Sequence, residues 1–454
     1  MVPSRVDSLI ASLPVGARVA TDPDVVSAYA ADRTHAPGGK AIAVVHARDI
    51  ADVAATLTWA SRYRVPVVPR GAGTGLSGGA TAPDGSVVLS LAAMSAIAEI
   101  DPVNMLAVVE PGVINGDLNR AARAHGLMFA PDPASFEIST VGGNIATNAG
   151  GLRCVKYGVT RDAVLGLEVV LADGRTIRTG RRTVKGVTGY DLTSLFTGSE
   201  GTLGVITSAT VRLRPLPAEP PATVLAVFPD QRQAAGAAAS IVSNRLRPSL
   251  LELIDRATLR AIDDWKRTGF GLDAGAVLIA QTDDPPDRGQ RISELCRAAG
   301  ATETAVSSDE TEADALLEIR RLAYPATERL GACLPEDVCV PVSRLGDMIG
   351  AVEEAGARHG VSILTVAHAG DGNLHPVFVY DRGLPAPPQA VWDAADEIFT
   401  RALAMGGTLT GEHGVGLIKR RWLGQELDPE SLAVQHAIKR ALDPSGILNP
   451  GKAI

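Results

Sequence analysis

The sequence predicts an α+β protein with more than one core, and three observations carry that expectation. At 454 residues the chain exceeds one ordinary domain. Its N-terminal half alternates helical and extended signals: residues 49–62 place Val53, Leu57 and Ala60 on one helical face, and residues 65–69 read as a short strand after it. Strand-like apolar runs then recur at 106–110, 164–171 and 205–213. Near the C-terminus, two apolar runs at 361–367 and 374–380 flank Ala369-Gly-Asp-Gly-Asn373, which reads as the loop of a β-hairpin.

Composition excludes several function classes. The net charge of −8 gives no electrostatic case for nucleic acid, whose phosphates need a basic face. The one basic run, residues 175–185, reads as a solvated turn and strand edge. No uninterrupted apolar stretch reaches the ~18 residues of a membrane helix, and Met-Val-Pro-Ser-Arg lacks a signal-peptide core. A cytoplasmic protein is expected, with peripheral attachment at the inner face of a membrane left open. Cys154, Cys296, Cys333 and Cys339 are scattered without zinc or iron–sulfur spacing, so they read as packed thiols. Electrons taken from a substrate would have to leave through a separate partner.

Two short stretches carry the most chemistry: His368-Ala-Gly-Asp-Gly-Asn-Leu-His375 and Gly411-Glu-His-Gly-Val-Gly416. They hold three of the eight histidines. A hairpin brings His368 and His375 together across neighbouring strands, and with Glu412 they form a three-ligand set that leaves positions open for water or substrate. His413 then remains for proton transfer. Histidines are more often hydrogen-bonded structural residues than ligands. The surrounding glycines, which let a bound group come close, weigh toward a divalent metal, with Zn, Mn and Fe the candidate ions.

Three glycine-rich tracts lie upstream. Arg70-Gly-Ala-Gly-Thr-Gly-Leu-Ser-Gly-Gly79 follows a strand and can turn its backbone N–H groups toward a phosphate. It lacks the Gly-Lys-Ser/Thr ending of a P-loop, and the turn and strand after it are not the helix of a Rossmann motif. The second tract, 131–151, is small-residue-rich almost throughout, and the third runs from 198 to 206. Their spacing suggests loops converging on one elongated ligand.

In this order the tracts resemble the FAD-binding domain of the vanillyl-alcohol oxidase/p-cresol methylhydroxylase superfamily. The resembling branch contains D-lactate dehydrogenases, the glycolate oxidase flavoprotein subunit and D-2-hydroxyglutarate dehydrogenase. Lys156-Tyr-Gly158, Lys185-Gly-x-x-Gly-Tyr-Asp191, both histidine stretches and the tail Leu442-Asp-Pro-x-Gly-Ile-Leu-Asn-Pro-Gly-Lys452 extend the likeness over nearly the whole chain. The resemblance implies a two-subdomain PCMH-type FAD-binding domain at 37–215 and an antiparallel-sheet-and-helix substrate (cap) domain at 220–453, with a C-terminal segment returning to the flavin. The proline-rich stretch 214–221 marks the boundary.

FAD would contact Arg70, Gly71, Ala72, Gly73, Thr74, Gly75, Ser77 and Gly78 in the first tract. In the second it would contact Pro131, Asp132, Thr140, Gly142, Gly143, Asn144, Thr147, Asn148 and Gly150. Glu200, Gly201 and Ile206 in the third tract and Asn449 in the tail complete the set. The loop contains no histidine for covalent attachment, so FAD is expected to be non-covalent.

By the same likeness, the helix around 316–325 carries a substrate-binding arginine at Arg320, whose planar fork suits a carboxylate. Tyr324, Pro335 and Val377 stand where hydroxyglutarate enzymes have threonine, lysine and asparagine. These departures favour a small monocarboxylate, D-lactate before glycolate, over 2-hydroxyglutarate. The expected reaction is oxidation of a D-2-hydroxy acid, with the metal binding the substrate oxygens, His413 taking the hydroxyl proton and the α-hydrogen passing to flavin as hydride or by a carbanion route. Electrons would go to a quinone, a cytochrome, an electron-transfer flavoprotein or an iron–sulfur subunit, and a homodimer is one assembly left open. Two alternatives of another class are a metal-dependent hydrolase that binds a nucleotide and a non-catalytic subunit of a glycolate-oxidase-like complex; the intact 368–375 and 411–416 stretches disfavour the latter.

Overall fold

The computed structural model describes residues 4–34, 36, 38–269, 273–283 and 287–454, except the side chain of Glu310; residue 37, the expected start of the flavin domain, lies outside them. The chain packs into two units. The first is Met1–Gly150, Val159–Leu216 and Glu412–Ile454, and the second is Gly151–Gly158 and Pro217–Gly411.

The first unit contains two sheets. In one, the strands Ala43–His46, Val87–Ser90 and Val67–Arg70 run parallel, with Arg18–Ala20 antiparallel on the edge. The helix Ile50–Tyr63 connects the strand Ala43–His46 to the parallel strand Val67–Arg70, with Val87–Ser90 between the two in the sheet. Asp49 caps that helix by accepting from Ala51 and Asp52 N–H, and Arg64 closes it in the left-handed region. Val53, Leu57 and Trp59 pack on Val45, Val67 and Leu89. The second sheet is antiparallel, in the order Ile97–Asp101, Leu106–Val109, Val205–Arg212, Val164–Val170, Thr176–Gly180. Its last strand is an edge with exposed Thr176 and Arg178, so the basic run is a solvated margin.

The tail closes the first sheet. Leu448 makes a parallel bridge to Val67, and Asn449 N donates to Val67 O at 2.9 Å. Asp443 holds this turn: its carboxylate accepts from Ile447 N (3.1 Å), Leu448 N (2.8 Å) and Lys439 Nζ (2.5 Å). Lys439 also donates to Thr202 O and Leu448 O.

The second unit is built on one antiparallel sheet. Its order is Glu303–Ser307, Ala222–Phe228, Ala276–Thr282, Leu250–Asp255, Ser362–His368, Asn373–Tyr380, Ala332–Pro335, with Val338–Cys339 also pairing to Asn373–Tyr380. The helices Arg256–Lys266 and Glu310–Leu330 cover the face that carries Leu250, Ile254, Leu364 and Val366. Leu345–His359 lies against the face of Asp255 and Thr365. Residues 151–158 belong here because Lys156 Nζ and Tyr157 Oη both donate to Asp283. The short strand Arg214–Pro215 precedes the crossing between units, within the proline-rich boundary expected from sequence.

No disulfide joins the four cysteines, and burial pushes the Cys296 thiol up to about 12 and that of Cys333 to about 11, so both behave as apolar packing groups. Among the described residues no helix is long and apolar enough to cross a membrane.

The tail depends on Asp443, whose side chain is fully buried. Asp443→Ala removes one acceptor from three donors and should cost the first unit ~3 kcal/mol, the scale for breaking a buried ion pair. Urea denaturation should show the lower midpoint; an unchanged midpoint would mean that apolar packing alone seats residues 447–449.

Candidate active site

The hairpin strands Ser362–His368 and Asn373–Tyr380 pair with His368 opposite Asn373 and Val366 opposite His375. His375 is therefore diagonal to His368 on the same sheet face, a spacing within reach of large side chains. Their rings stand edge to face with centroids 4.9 Å apart. Glu412 follows Gly411, the last residue of the second unit, by one peptide bond. That approach is fixed by fully buried Asp337, which accepts from Thr410 Oγ1 at 2.9 Å and from Gly411 N at 2.8 Å. Ligand atoms of His368, His375 and Glu412 all lie within 4.8 Å of one another. Two imidazoles and one carboxylate are a donor set suited to a catalytic divalent ion. Gly150 is required nearby: a Cβ there would lie 2.4 Å from Glu412 Oε2.

The sequence reading missed Glu252. It sits in the strand Leu250–Asp255 directly opposite His368 and has no exposed surface. Its Oε1 is 2.7 Å from His368 Nδ1, and its Oε2 accepts from Arg320 Nε at 2.7 Å. A carboxylate oxygen accepting at that distance selects the Nδ1–H tautomer of His368, the one in which Nε2 can serve as a ligand atom. Arg320 is nearly buried, and among the described residues its two Nη groups have no hydrogen-bond partner. Arg321 is exposed and lies 3.7 Å from Glu318, the solvated arginine of the pair. The available signal was a lone acid inside the buried run Ser249-Leu-Leu-Glu-Leu-Ile-Asp255, because a charge in such a run demands partners.

In the first unit the three glycine-rich tracts and the tail meet. Gly71 abuts Thr140, where an added Cβ would come 2.2 Å from Oγ1. The second tract joins the third through Gly198 N to Ile145 O and Glu200 N to Ala146 O. Asn449 Nδ2 donates to Gly79 O and Glu200 O, linking first and third tracts through the tail. Thr140 caps the helix Val141–Thr147, and among the described residues the buried amide nitrogen of Asn144 has no hydrogen-bond partner. A buried donor of that kind, set among small residues, fits a cofactor acceptor atom. Arg70 is buried, donates to Ala31 O at 2.7 Å, and has its guanidinium 5.5 Å from the Tyr29 ring; desolvation holds its pKa below the usual arginine range.

Glu200, Ser77 and Asn449, all expected to touch FAD, have side chains engaged within the protein. Glu200 accepts from Val415 N (2.9 Å) and Gly416 N (2.8 Å); burial raises its pKa, while these backbone donors act to lower it. Ser77 Oγ donates to Gly414 O at 2.8 Å and to His413 O at 3.2 Å, and Ser77 O receives Leu417 N. Asn449 Oδ1 accepts from Lys452 Nζ, whose pKa burial lowers to about 8. Ser77 and Glu200 therefore fasten the backbone around His413 to the first and third tracts.

Residues 218–453 match the family of FAD linked oxidases, C-terminal domain, and residues 41–180 match the FAD binding domain. The chain belongs to the FAD-linked oxidase family. It is 45% identical over 415 residues to the glycolate oxidase subunit GlcD of Bacillus subtilis (strain 168), covering 90% of this chain and 88% of that protein. It is 35% identical over 412 residues to a D-lactate dehydrogenase of Archaeoglobus fulgidus, covering 90% and 91%. The solved structure of p-cresol methylhydroxylase with substrate bound superposes with a TM-score of 0.81 at 19% identity, over 99% of this chain and 96% of that one, which establishes the shared PCMH-type fold. This family member is an FAD-linked oxidoreductase.

Glu200→Gln keeps the shape but turns an amide donor toward a backbone N–H. Leaving that donor unsatisfied should cost ~1–3 kcal/mol. Hydrogen exchange at Val415, Gly416 and Leu417 should accelerate while the amides of Val44 and Val88 keep their protection. Equal protection of the 415–417 amides in variant and wild type would remove Glu200 as the fastening.

Proposed function

We propose that the protein oxidises a small D-2-hydroxy monocarboxylate, D-lactate or glycolate, to the 2-oxo acid and passes the electrons to an external acceptor. The observation that carries this reading is the cluster of His368, His375 and Glu412, in which His368 shares a buried partner, Glu252, with Arg320, whose terminal amino groups have no hydrogen-bond partner among the described residues. The names of the glycolate oxidase subunit and D-lactate dehydrogenase relatives point the same way.

In this reading residues 37–215 bind FAD without a covalent bond, and residues 220–453 carry the substrate site. Arg320 receives the substrate carboxylate on its two Nη groups. His368, His375 and Glu412 hold a divalent ion, Zn, Mn or Fe. When bound, FAD supplies the hydride acceptor and the divalent ion supplies the Lewis acidity that brings the hydroxyl pKa toward neutrality. His413 takes the hydroxyl proton at a ring nitrogen.

The sheet also favours a short substrate. Val377 lies two residues after His375, on the same face, and pairs directly with Pro335. This apolar pair offers no donor to a second carboxylate, which leaves D-lactate and glycolate ahead of 2-hydroxyglutarate. The acceptor would be a quinone, a cytochrome, an electron-transfer flavoprotein or an iron–sulfur subunit. GlcD's description as a subunit favours a partner chain.

Anaerobic addition of D-lactate or glycolate to the purified yellow protein should bleach the oxidised-flavin absorption within turnover time, whereas 2-hydroxyglutarate should do so far more slowly. Bleaching by the dicarboxylate alone would overturn the size assignment.

His375→Ala and His413→Asn should separate the ligand from the base. The first should lose stoichiometric divalent ion and turnover together, with FAD content near wild type. The second should keep ion and FAD yet lose kcat by roughly 10²–10⁴-fold, the usual contribution of a positioned acid–base group. Metal analysis, flavin absorbance and steady-state rates on the same preparations decide the matter; an ion-free active wild type would end the ligand assignment.

A further inference from the structure

Glu252 is buried without exposed surface, and each of its oxygens meets a different functional side chain at 2.7 Å. We propose that Glu252 is the positioning residue of the substrate site, setting one metal ligand and the substrate arginine from a single carboxylate. This rests on the reading given under Proposed function and extends it to a residue that touches neither substrate nor ion.

The geometry gives Glu252 two tasks. Through Oε1 it accepts a hydrogen bond from Nδ1–H of His368, which commits that ring to presenting Nε2 and fixes its rotation. Through Oε2 it takes Nε–H of Arg320, which leaves the planar end of the guanidinium, with both Nη groups, for a carboxylate. Because the two oxygens belong to one rigid group on a central strand, a displacement of either partner is transmitted to the other. The strand pairing reinforces this: Glu252 and His368 are direct register partners, and Arg320 reaches them from the helix Glu310–Leu330, anchored over the same face by Leu317 against Leu250 and Ile254.

A charge consequence follows. Arg320 and a divalent ion bring three positive charges, and Glu252 with Glu412 removes two. One positive charge remains, which matches one substrate carboxylate. Without the negative charge of Glu252 the site would suit a dicarboxylate better.

The test separates Glu252 from the site reading itself. Glu252→Leu alone leaves Arg320 buried without its partner and risks misfolding, and Arg320→Leu alone does the same to Glu252, so the wild type and Arg320→Lys, which keeps a cationic donor for Glu252, are compared with Glu252→Leu/Arg320→Leu, in which the buried pair is replaced by apolar groups. Titration of metal-stripped, FAD-loaded protein with Mn²⁺ should give similar affinities for wild type and Arg320→Lys and a 10–100-fold loss for the double variant, the usual effect of removing a carboxylate behind a ligating histidine. In ¹⁵N-histidine NMR of the metal-stripped protein, His368 should be the Nδ1–H tautomer in wild type and in Arg320→Lys, and a mixture in the double variant.

Glu252→Gln, which has one acceptor oxygen for two donors, should raise KM for D-lactate or glycolate about tenfold. It should also move the kcat/KM ratio toward a 2-hydroxy dicarboxylate. Equal Mn²⁺ affinity and the same His368 tautomer in Arg320→Lys and in the double leucine variant would overturn the proposal. Should wild type bind no divalent ion, the metal reading falls, and the tautomer comparison alone still decides for or against Glu252.

Discussion

A carboxylate removed from water must have its oxygens met by donors, and that constraint organises the functional half of this protein. Three buried acids do the organising. Glu252 meets His368 and Arg320, Asp337 meets Thr410 and Gly411, and Glu200 meets Val415 and Gly416. Each is desolvated enough that an unpartnered oxygen would cost more than a typical hydrogen bond contributes. Charge-assisted bonds are also the shorter and stronger ones, so each acid holds its partners at hydrogen-bond distances of 2.7–2.9 Å. The apolar sheet supplies burial, and the acids convert burial into placement.

Much of this was legible in the sequence, for reasons that can be named. The hairpin at 361–380 shows because its two runs are apolar and its loop is Ala-Gly-Asp-Gly-Asn; the strands form at Ser362–His368 and Asn373–Tyr380, within a residue of expectation. The helix Ile50–Tyr63 shows through its apolar spacing and its Asp49 cap. The three glycine-rich tracts show through composition, and their meeting in one unit follows the expected convergence. Arg320 and Arg321 are adjacent and chemically identical, yet only the former turns inward. Helical phase decides between them, and the likeness to known flavoproteins selected the inward one.

The unread features share a physical cause: they are long-range pairings of polar groups. Glu252 and His368 are separated by 116 positions, and Glu200 and Val415 by 215. No local period marks such pairs, since each partner alone is an unremarkable charged residue or glycine-flanked turn. The unit boundaries are similar. Residues 151–158 follow a flavin-type tract in sequence, yet Asp283 draws Lys156 and Tyr157 into the second unit. Residues 412–454 lie at the end of the chain, yet Asp443, Asn449 and Glu200 hold them to the first.

Glu412 and His413 illustrate what this arrangement makes possible. Adjacent residues on an extended backbone project to opposite sides, so a ligand and a base placed next to each other need a bent path between fixed points. The chain passes from the second unit to the first between Gly411 and Glu412. Before the crossing it is held by Asp337, and after it by Ser77 and Glu200, each within its own unit. Gly414 and Gly416 take positive φ values of 83° and 50°, which lets the chain turn immediately after His413. At Gly416 an added Cβ would lie 1.9 Å from Ser77 O, so the turn also requires the absence of a side chain. The short stretch Gly411-Glu-His-Gly-Val-Gly416 is thus determined less by its own conformational preference than by anchors 74 to 337 residues upstream. That is why its glycines are as necessary to the placement of Glu412 and His413 as the two side chains are to the chemistry.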